Sequence, residues 1–252
     1  MTVNSPPPWI FLRGLMRDQR HWGNFPELFC AQLPGAVVHT LDLPGNGVLN
    51  HLPSPASVPA LADWVRAELR ARGLAPPYRV FAMSLGAMVA IAWADTAPQE
   101  IDACVLANTS LKPISPFYHR LRPAAWPLLL RMALGRPSPG ATEAAILGLT
   151  SNHLERTHNV LDDWLAWRLA RPVRRANALR QLLAAIRFSA PGQKPAVRLL
   201  LLTGAQDRLV DSRCSQALAD AWQCQIAVHP SAGHDLPLDD AGWVATQVQH
   251  WI

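Results

Sequence analysis

The chain has 252 residues, half of them hydrophobic, which suits one large domain or one domain carrying a sizeable insertion. The sequence has no apolar run of about 18 residues and no charged segment followed by a signal-like apolar core near its N-terminus. We therefore expect a cytoplasmic protein with no membrane span. The four cysteines are scattered without C-x-x-C spacing, which favours reduced thiols and no metal.

Six short apolar runs, rich in Val, Ile and Leu, predict strands that are buried on both faces. They cover residues 9–12, 36–41, 78–83, 103–107, 197–202 and 224–228. Helical patterns lie between them at 58–72, 85–96, 212–222 and 240–251. Alternation of this kind predicts an α/β fold, with a mostly parallel sheet of about six strands and helices on both of its faces.

Residues 111–189 break the alternation, because they contain only helical patterns, at 128–134, 144–156, 160–170 and 174–188. In the last of these, Leu179, Leu182, Leu183 and Ile186 line one face. We expect residues 111–189 to form a helical lid (cap) inserted into a core made of residues 1–110 and 190–252.

The lid segment also concentrates positive charge. It has eleven arginines and one lysine against four acidic residues, so it is near +8 while the whole chain is +5. Such a segment is either a solvated helical surface or a docking face for an anion. No nucleic-acid-binding motif accompanies the charge, so we expect no nucleic-acid partner.

Ser84 lies where a predicted strand passes directly into a predicted helix, within the residues FAMSLG. A serine on such a tight turn is raised above the sheet edge, and the amide of the next residue points at the substrate. The turn needs small residues two positions before and after the serine. Gly86 meets this requirement, and Ala82 replaces the more usual glycine.

A serine nucleophile needs a base and an acid that orients the base. Asp207 follows the strand at 197–202, and His234 lies in a glycine-containing loop after the last strand. Functional groups collect at this edge of a parallel sheet. The order Ser84, Asp207, His234 predicts a catalytic triad, with Asp211 and Asp235 as nearby alternatives for the acid.

These segments resemble those of the small lid-bearing serine esterases of the α/β-hydrolase family, along essentially the whole chain. The likeness extends to carboxylesterases of the pimeloyl-carrier-protein methyl ester esterase type. The matching segments are FLRGL at 11–15, DLPGNG at 42–47, MSLG at 83–86, the G-x-x-D-x-x-V pattern at 204–210, and Gly233-His234.

The resemblance implies a serine hydrolase that cleaves a carboxylic ester or thioester without metal or organic cofactor. It also implies an oxyanion hole made by the backbone amides of Leu15 and Leu85. Arg13 stands where the family has a histidine before the glycine. The same triad would serve a carbon–carbon bond hydrolase acting on a diketone, and a less favoured alternative is a ligand-binding relative without catalysis.

The resemblance says less about the substrate. We expect a small acyl substrate, with Arg13, Trp126, Trp164 and Trp167 as candidate contacts. By analogy with relatives that act on carrier-bound acyl groups, the arginine-rich lid would dock an acidic acyl-carrier protein or a coenzyme A thioester. The arginines that would do so are Arg168, Arg171, Arg174, Arg175 and Arg180.

Overall fold

A computed structural model describes residues 6–135, 137–153 and 160–252. Its six strands form one sheet in the order β2-β1-β3-β4-β5-β6, and every neighbouring pair is parallel. The predicted sheet is therefore confirmed. The strands are β1 (Trp9–Leu12), β2 (Val38–Leu41), β3 (Tyr78–Met83), β4 (Ile101–Ala107), β5 (Arg198–Gly204) and β6 (Gln225–His229).

Helices surround the sheet on both faces, as the alternating pattern predicts. They are α1 (Phe25–Gln32), α2 (Val58–Ala71), α3 (Leu85–Thr96), α4 (Phe117–Arg120), α5 (Trp126–Leu134), α6 (Pro139–Thr150), α7 (Val160–Ala170), α8 (Arg175–Arg187), α9 (Arg213–Trp222) and α10 (Leu236–Trp251). No helix within the described ranges has the length and apolarity to cross a bilayer. The cytoplasmic location stays a prediction.

Four helices differ clearly from the sequence expectation. Helices α1 and α4 were not predicted, and α1 packs Phe25 and Phe29 under the sheet. The helix expected at 144–156 runs instead from Pro139 to Thr150, and residues 154–156 lie outside the described residues. Helix α10 begins at Leu236, four residues early, and contains a kink at Asp240.

The strands carry apolar side chains on both faces because the sheet separates two cores. In β1, Ile10 and Leu12 join the core under α2 and α3, whereas Trp9 and Phe11 join the core under α1 and α10. All four side chains are buried. A continuous apolar run is what a central parallel strand requires.

Residues 111–189, here called the insertion, connect β4 to β5 through helices α4 to α8. Its two ends lie side by side, because Lys112 and Ser189 form an isolated parallel bridge. Its division from the core as a lid stays a prediction.

Helix α8 packs on the core with its polar side. Asn177 and Gln181 are buried, whereas Leu179 and Ile186 are exposed. Gln181 accepts a hydrogen bond from the Met16 amide (2.9 Å) and donates to the Asn46 side chain (2.8 Å). Asn177 accepts from the Ser54 amide (3.0 Å) and donates to the Leu52 carbonyl (2.9 Å). These satisfied polar groups fix the helix orientation and turn its leucines outward.

Candidate active site

Ser84 occupies a strained turn between β3 and α3. Its φ of +51° and ψ of −115° are an uncommon combination for a residue with a side chain. Such strain is held only where the surroundings enforce it. The Ser84 amide donates to the Ala107 carbonyl on β4 (3.0 Å). A Cβ on Gly86 would come within 2.5 Å of the Leu12 carbonyl oxygen, so only glycine fits there.

Asp207 and His234 form a buried pair. The distance between His234 Nδ1 and Asp207 Oδ2 is 2.7 Å. The other carboxylate oxygen of Asp207 accepts the amides of Leu209 (2.7 Å) and Val210 (2.9 Å). Because the carboxylate only accepts, Nδ1 of the neutral imidazole carries the proton and Nε2 is left able to accept one. Hydrogen bonds to both of its oxygens therefore fix the orientation of the Asp207 carboxylate.

Opposing effects set the pKa of His234. Burial lowers this pKa, but the charge and hydrogen bond of Asp207 and the charge of Asp235 raise it, while Arg13 lowers it. The net pKa of His234 is raised above its ordinary value. The neutral imidazole that a general base requires therefore forms only above this raised pKa.

Asn108, which sequence reasoning did not identify, fixes the histidine loop. It follows β4 in a left-handed conformation, and its side-chain amide donates to the carbonyls of Gly233 (3.1 Å) and His234 (2.6 Å). Its oxygen accepts the Gly204 amide and the Thr203 hydroxyl, each at 3.0 Å. A polar residue at the end of a central strand was the only available sequence signal.

The loop after β1 lies directly beside Ser84. A Cβ built on Gly14 would meet Ser84 Cβ at 3.2 Å and Oγ at 3.7 Å. Within the described part of the chain, the amides of Leu15 and Leu85 donate no hydrogen bond. No hydrogen bond joins Ser84 Oγ to His234 among these residues, and such contacts often tighten only when substrate binds.

Arg13 and Asp235 form a second buried pair at the site. Arg13 Nη2 lies 2.5 Å from Asp235 Oδ2, and Nη1 lies 3.1 Å from Oδ1. The guanidinium also lies 4.6 Å from the centre of the Trp22 ring. Although burial opposes ionisation, Arg13 holds the pKa of Asp235 below its usual value. The pair joins the loop after β1 to the residue that follows His234.

The end of α6 is bonded to the loops that carry Asp207 and His234. The Asp235 amide donates to the Thr150 carbonyl (2.8 Å), and the Ser151 hydroxyl donates to Asp239 (2.5 Å). Asp239 also accepts the Gly233 amide (2.6 Å). The Asn152 side chain donates to the carbonyls of Gln206 (3.0 Å) and Ser231 (3.1 Å). Residues 150–152 thus form a clasp across both loops.

The structure places the tryptophans predicted to contact substrate in two locations. Trp126 is on the outer surface, where it stacks on Phe117. Trp164 is buried beneath the Arg17 guanidinium, which lies 3.9 Å from its ring centre. Trp164 and Trp167 both pack against the His21 ring, with ring centres 5.5 Å and 5.2 Å from it. The structure therefore brings Trp164 and Trp167 together at His21 and leaves Trp126 apart from them.

The arginines predicted to dock a carrier also differ in their surroundings. Arg168 is paired with buried Glu143, which also binds Arg17 at 2.8 Å. Arg174, Arg175 and Arg180 are exposed, and Arg171 is half-buried. A carrier-protein or coenzyme A partner stays a prediction.

The other candidate acids have other partners, since Asp211 pairs with Arg213 (2.8 Å) and Asp235 with Arg13. Across the described ranges, no three His, Cys, Asp or Glu side chains cluster as metal ligands. A cavity of about 520 Å³ between α2, α3 and α8 contains none of the three predicted catalytic residues. The side-chain geometry, rather than this cavity, identifies the candidate site.

A parallel sheet with a strained serine after β3 and an Asp–His pair after β5 and β6 defines an α/β protein of hydrolase type. A model of the alpha/beta hydrolase family matches residues 9–247, and the chain belongs to this family. No curated protein matches the chain.

Solved structures share the fold at low sequence identity. A thermophilic esterase from Thermogutta terrifontis is 20% identical, with a TM-score of 0.75, and the match covers 98% of this chain and 89% of that one. The enol-lactonase from Burkholderia xenovorans is 18% identical, with a TM-score of 0.78 and coverage of 97% and 90%. The 2-hydroxy-6-oxo-6-phenylhexa-2,4-dienoate hydrolase from a Rhodococcus species is 17% identical, with a TM-score of 0.76 and coverage of 97% and 89%.

Proposed function

We propose that this protein is a serine hydrolase that cleaves a carboxylic ester or thioester through an acyl-enzyme on Ser84. The observation that carries the proposal is the buried 2.7 Å contact between His234 Nδ1 and Asp207 Oδ2, with Ser84 in a strained turn at the same sheet edge. Each residue type matches its role as nucleophile, base or orienting acid.

The reaction has two halves that balance. Ser84 Oγ attacks the acyl carbonyl while His234 Nε2 takes the hydroxyl proton, and the same proton then goes to the departing alcohol or thiol. Water next attacks the acyl-enzyme, His234 takes its proton, and Ser84 recovers it as the acid leaves. Donation by the Leu15 and Leu85 amides to the oxyanion would lower the barrier by roughly 3 kcal/mol for each donor.

A fluorophosphonate probe tests the nucleophile. We expect a single adduct on Ser84, which is lost in Ser84→Ala and strongly reduced in His234→Ala. Ser212→Ala and His51→Ala are matched controls, because Ser212 makes no capping hydrogen bond and His51 is exposed. A folded wild-type protein that does not label, or labels elsewhere, would refute the proposal in favour of ligand binding without catalysis.

A substrate series then tests the bond that is cleaved. p-Nitrophenyl esters from acetate to decanoate report acyl length, and a thioester series reports the leaving group. A carbon–carbon bond hydrolase would use the same triad, so a ring-cleavage diketone is measured beside them. Diketone hydrolysis with negligible esterase activity would replace the ester proposal.

A further inference from the structure

The outer surface of the insertion exposes large apolar side chains. Eight of them, here called the apolar face, are each more than 40% exposed, and Leu134 reaches 78%. Contiguous exposed apolar surface on a soluble fold marks an interaction site. The members are Phe117, Tyr118, Trp126, Leu130, Leu134, Leu179, Leu182 and Ile186.

Contacts between helices join the elements that carry this face. The Arg120 guanidinium at the end of α4 donates to the Ala185 carbonyl on α8 (2.8 Å). Arg175 on α8 donates to the Gly135 carbonyl just after α5 (3.4 Å). Phe117 and Trp126 stack with ring centres 6.0 Å apart. The end of α4 and the residue after α5 therefore contact opposite ends of α8, and the exposed Leu179 and Leu182 lie between these two contacts along the helix.

The two segments that carry the face have charge of a single sign. Residues 111–142 and 171–197 contain eleven lysines and arginines and no aspartate or glutamate. Five of these cations, on or next to α5 and α8, are exposed. They are Arg131, Arg174, Arg175, Arg180 and Arg187. An occupant that complements the face must be both apolar and anionic.

We infer that the apolar face and its arginines bind an anionic lipid surface. Leucine, isoleucine and phenylalanine would enter the acyl boundary, and the arginines would meet lipid phosphates. Exposed Trp126 and Tyr118 suit the headgroup level, where amphipathic rings concentrate. The inference does not depend on the proposed hydrolysis, because lipid binding requires no turnover.

Two other occupants fit the face less well. A second copy of the chain would bring two cationic faces together and repel itself. A peptide helix docks by placing anchors in a groove. The face, by contrast, is formed by side chains that project from three helices, and none of its members lines the cavity between α2, α3 and α8. A fluid lipid interface needs no groove.

Vesicle co-sedimentation with the full chain tests the inference. The probes are vesicles of phosphatidylcholine alone and of phosphatidylcholine mixed with phosphatidylglycerol, each at low and high salt. We expect binding to the anionic vesicles, weakened by salt. Leu179→Gln/Leu182→Gln/Ile186→Gln should reduce partitioning by about tenfold or more. Arg175→Gln/Arg180→Gln should reduce it about fivefold for each arginine removed.

A matched control removes exposed valines outside the insertion. Val37→Gln/Val48→Gln/Val228→Gln changes residues of similar exposure and should leave vesicle binding unchanged. Hydrolysis of a soluble ester, measured separately, keeps failure of the proposed function distinct from failure of lipid binding.

Several outcomes would overturn the inference. They are absence of binding to anionic vesicles, equal binding of the triple glutamine variant, and equal loss in the valine control. Self-association that the triple variant abolishes, without vesicle binding, would assign the face to a second copy. Binding of an acidic carrier protein, without vesicle binding, would assign it to a protein partner.

Discussion

Substitution of Asp235 is expected to move the pH dependence of catalysis. Asp235→Asn keeps the side-chain shape but removes a negative charge that raises the pKa of His234. Arg13, which lowers this pKa, stays charged and loses its bidentate partner. Both changes lower the pKa of His234. The acidic limb of kcat/KM, which reports His234 in the free enzyme, should therefore move to lower pH.

Coulomb's law gives the size of the shift. Two unit charges about 4 Å apart interact by about 4 kcal/mol at an effective dielectric constant of about 20, and the interaction falls in inverse proportion to distance. The charge of Asp235 acts on His234 less than the charge of Asp207, which contacts the imidazole. We therefore expect the acidic limb of kcat/KM to move down by roughly one pH unit, a smaller change than loss of the Asp207 charge would cause. The other charged groups acting on His234 are Asp207, which raises the pKa, and Arg13, which lowers it.

The assay is kcat/KM for a p-nitrophenyl ester across pH, with thermal unfolding measured in parallel. A buried arginine without its carboxylate costs about 3–5 kcal/mol, so Asp235→Asn should also be destabilised. Arg13→Gln/Asp235→Asn removes both charges, so it should be more stable than Asp235→Asn. The acidic limb of its kcat/KM profile should return toward the wild-type position. An acidic limb of kcat/KM that stays in place or moves to higher pH in Asp235→Asn would show that the Asp235 charge does not raise the pKa of His234.

Three further predictions concern the surrounding structure. Burial lowers the pKa of His21 to about 4, so the folded state loses about 3 kcal/mol of stability as pH falls from about 6.5 to 4. In His21→Gln, the free energy of unfolding measured with denaturant should change less over this pH range than in the wild type. Asn108→Ala leaves the His234 carbonyl without its hydrogen-bond donor, so kcat should fall about tenfold or more while KM changes little. A KM that rises by as large a factor as kcat falls would contradict a positioning role for Asn108. Gly86→Ala would place a Cβ 2.5 Å and 2.7 Å from backbone oxygens at the end of β1, so the free energy of unfolding should fall by about 1–3 kcal/mol or more. In the control Gly148→Ala, the added Cβ meets open space in α6, and the free energy of unfolding should stay the same or rise by up to about 1 kcal/mol.

The strands could be predicted because burial on both faces leaves a continuous apolar run. The bounds of β1 and β3 agree with the prediction, and β4 starts two residues earlier at Ile101. Helix α1 was missed because it is short, has a proline in its first turn and has a weak helical pattern. Its role is visible only when Phe25 and Phe29 pack under the sheet.

Long-range pairs account for most of what the sequence could not indicate at the site. Arg13 and Asp235 are 222 positions apart, so no local pattern connects them. In α8 the local pattern predicts the helix but not its orientation. The leucine spacing is that of a helix with one apolar side, and this side faces outward rather than toward the core. Tertiary hydrogen bonds through Asn177 and Gln181 decide its orientation.

The clasp at residues 150–152 limits how this protein could be re-engineered. A designer who exchanges the insertion for that of a relative would also remove the partners of Asp239 and of the Asp235 amide. The unit that can be exchanged without disturbing the histidine loop therefore excludes the end of α6. A chimera that retains Thr150, Ser151 and Asn152 would keep these contacts to the loops that carry Asp207 and His234, whatever helices replace the rest of the insertion.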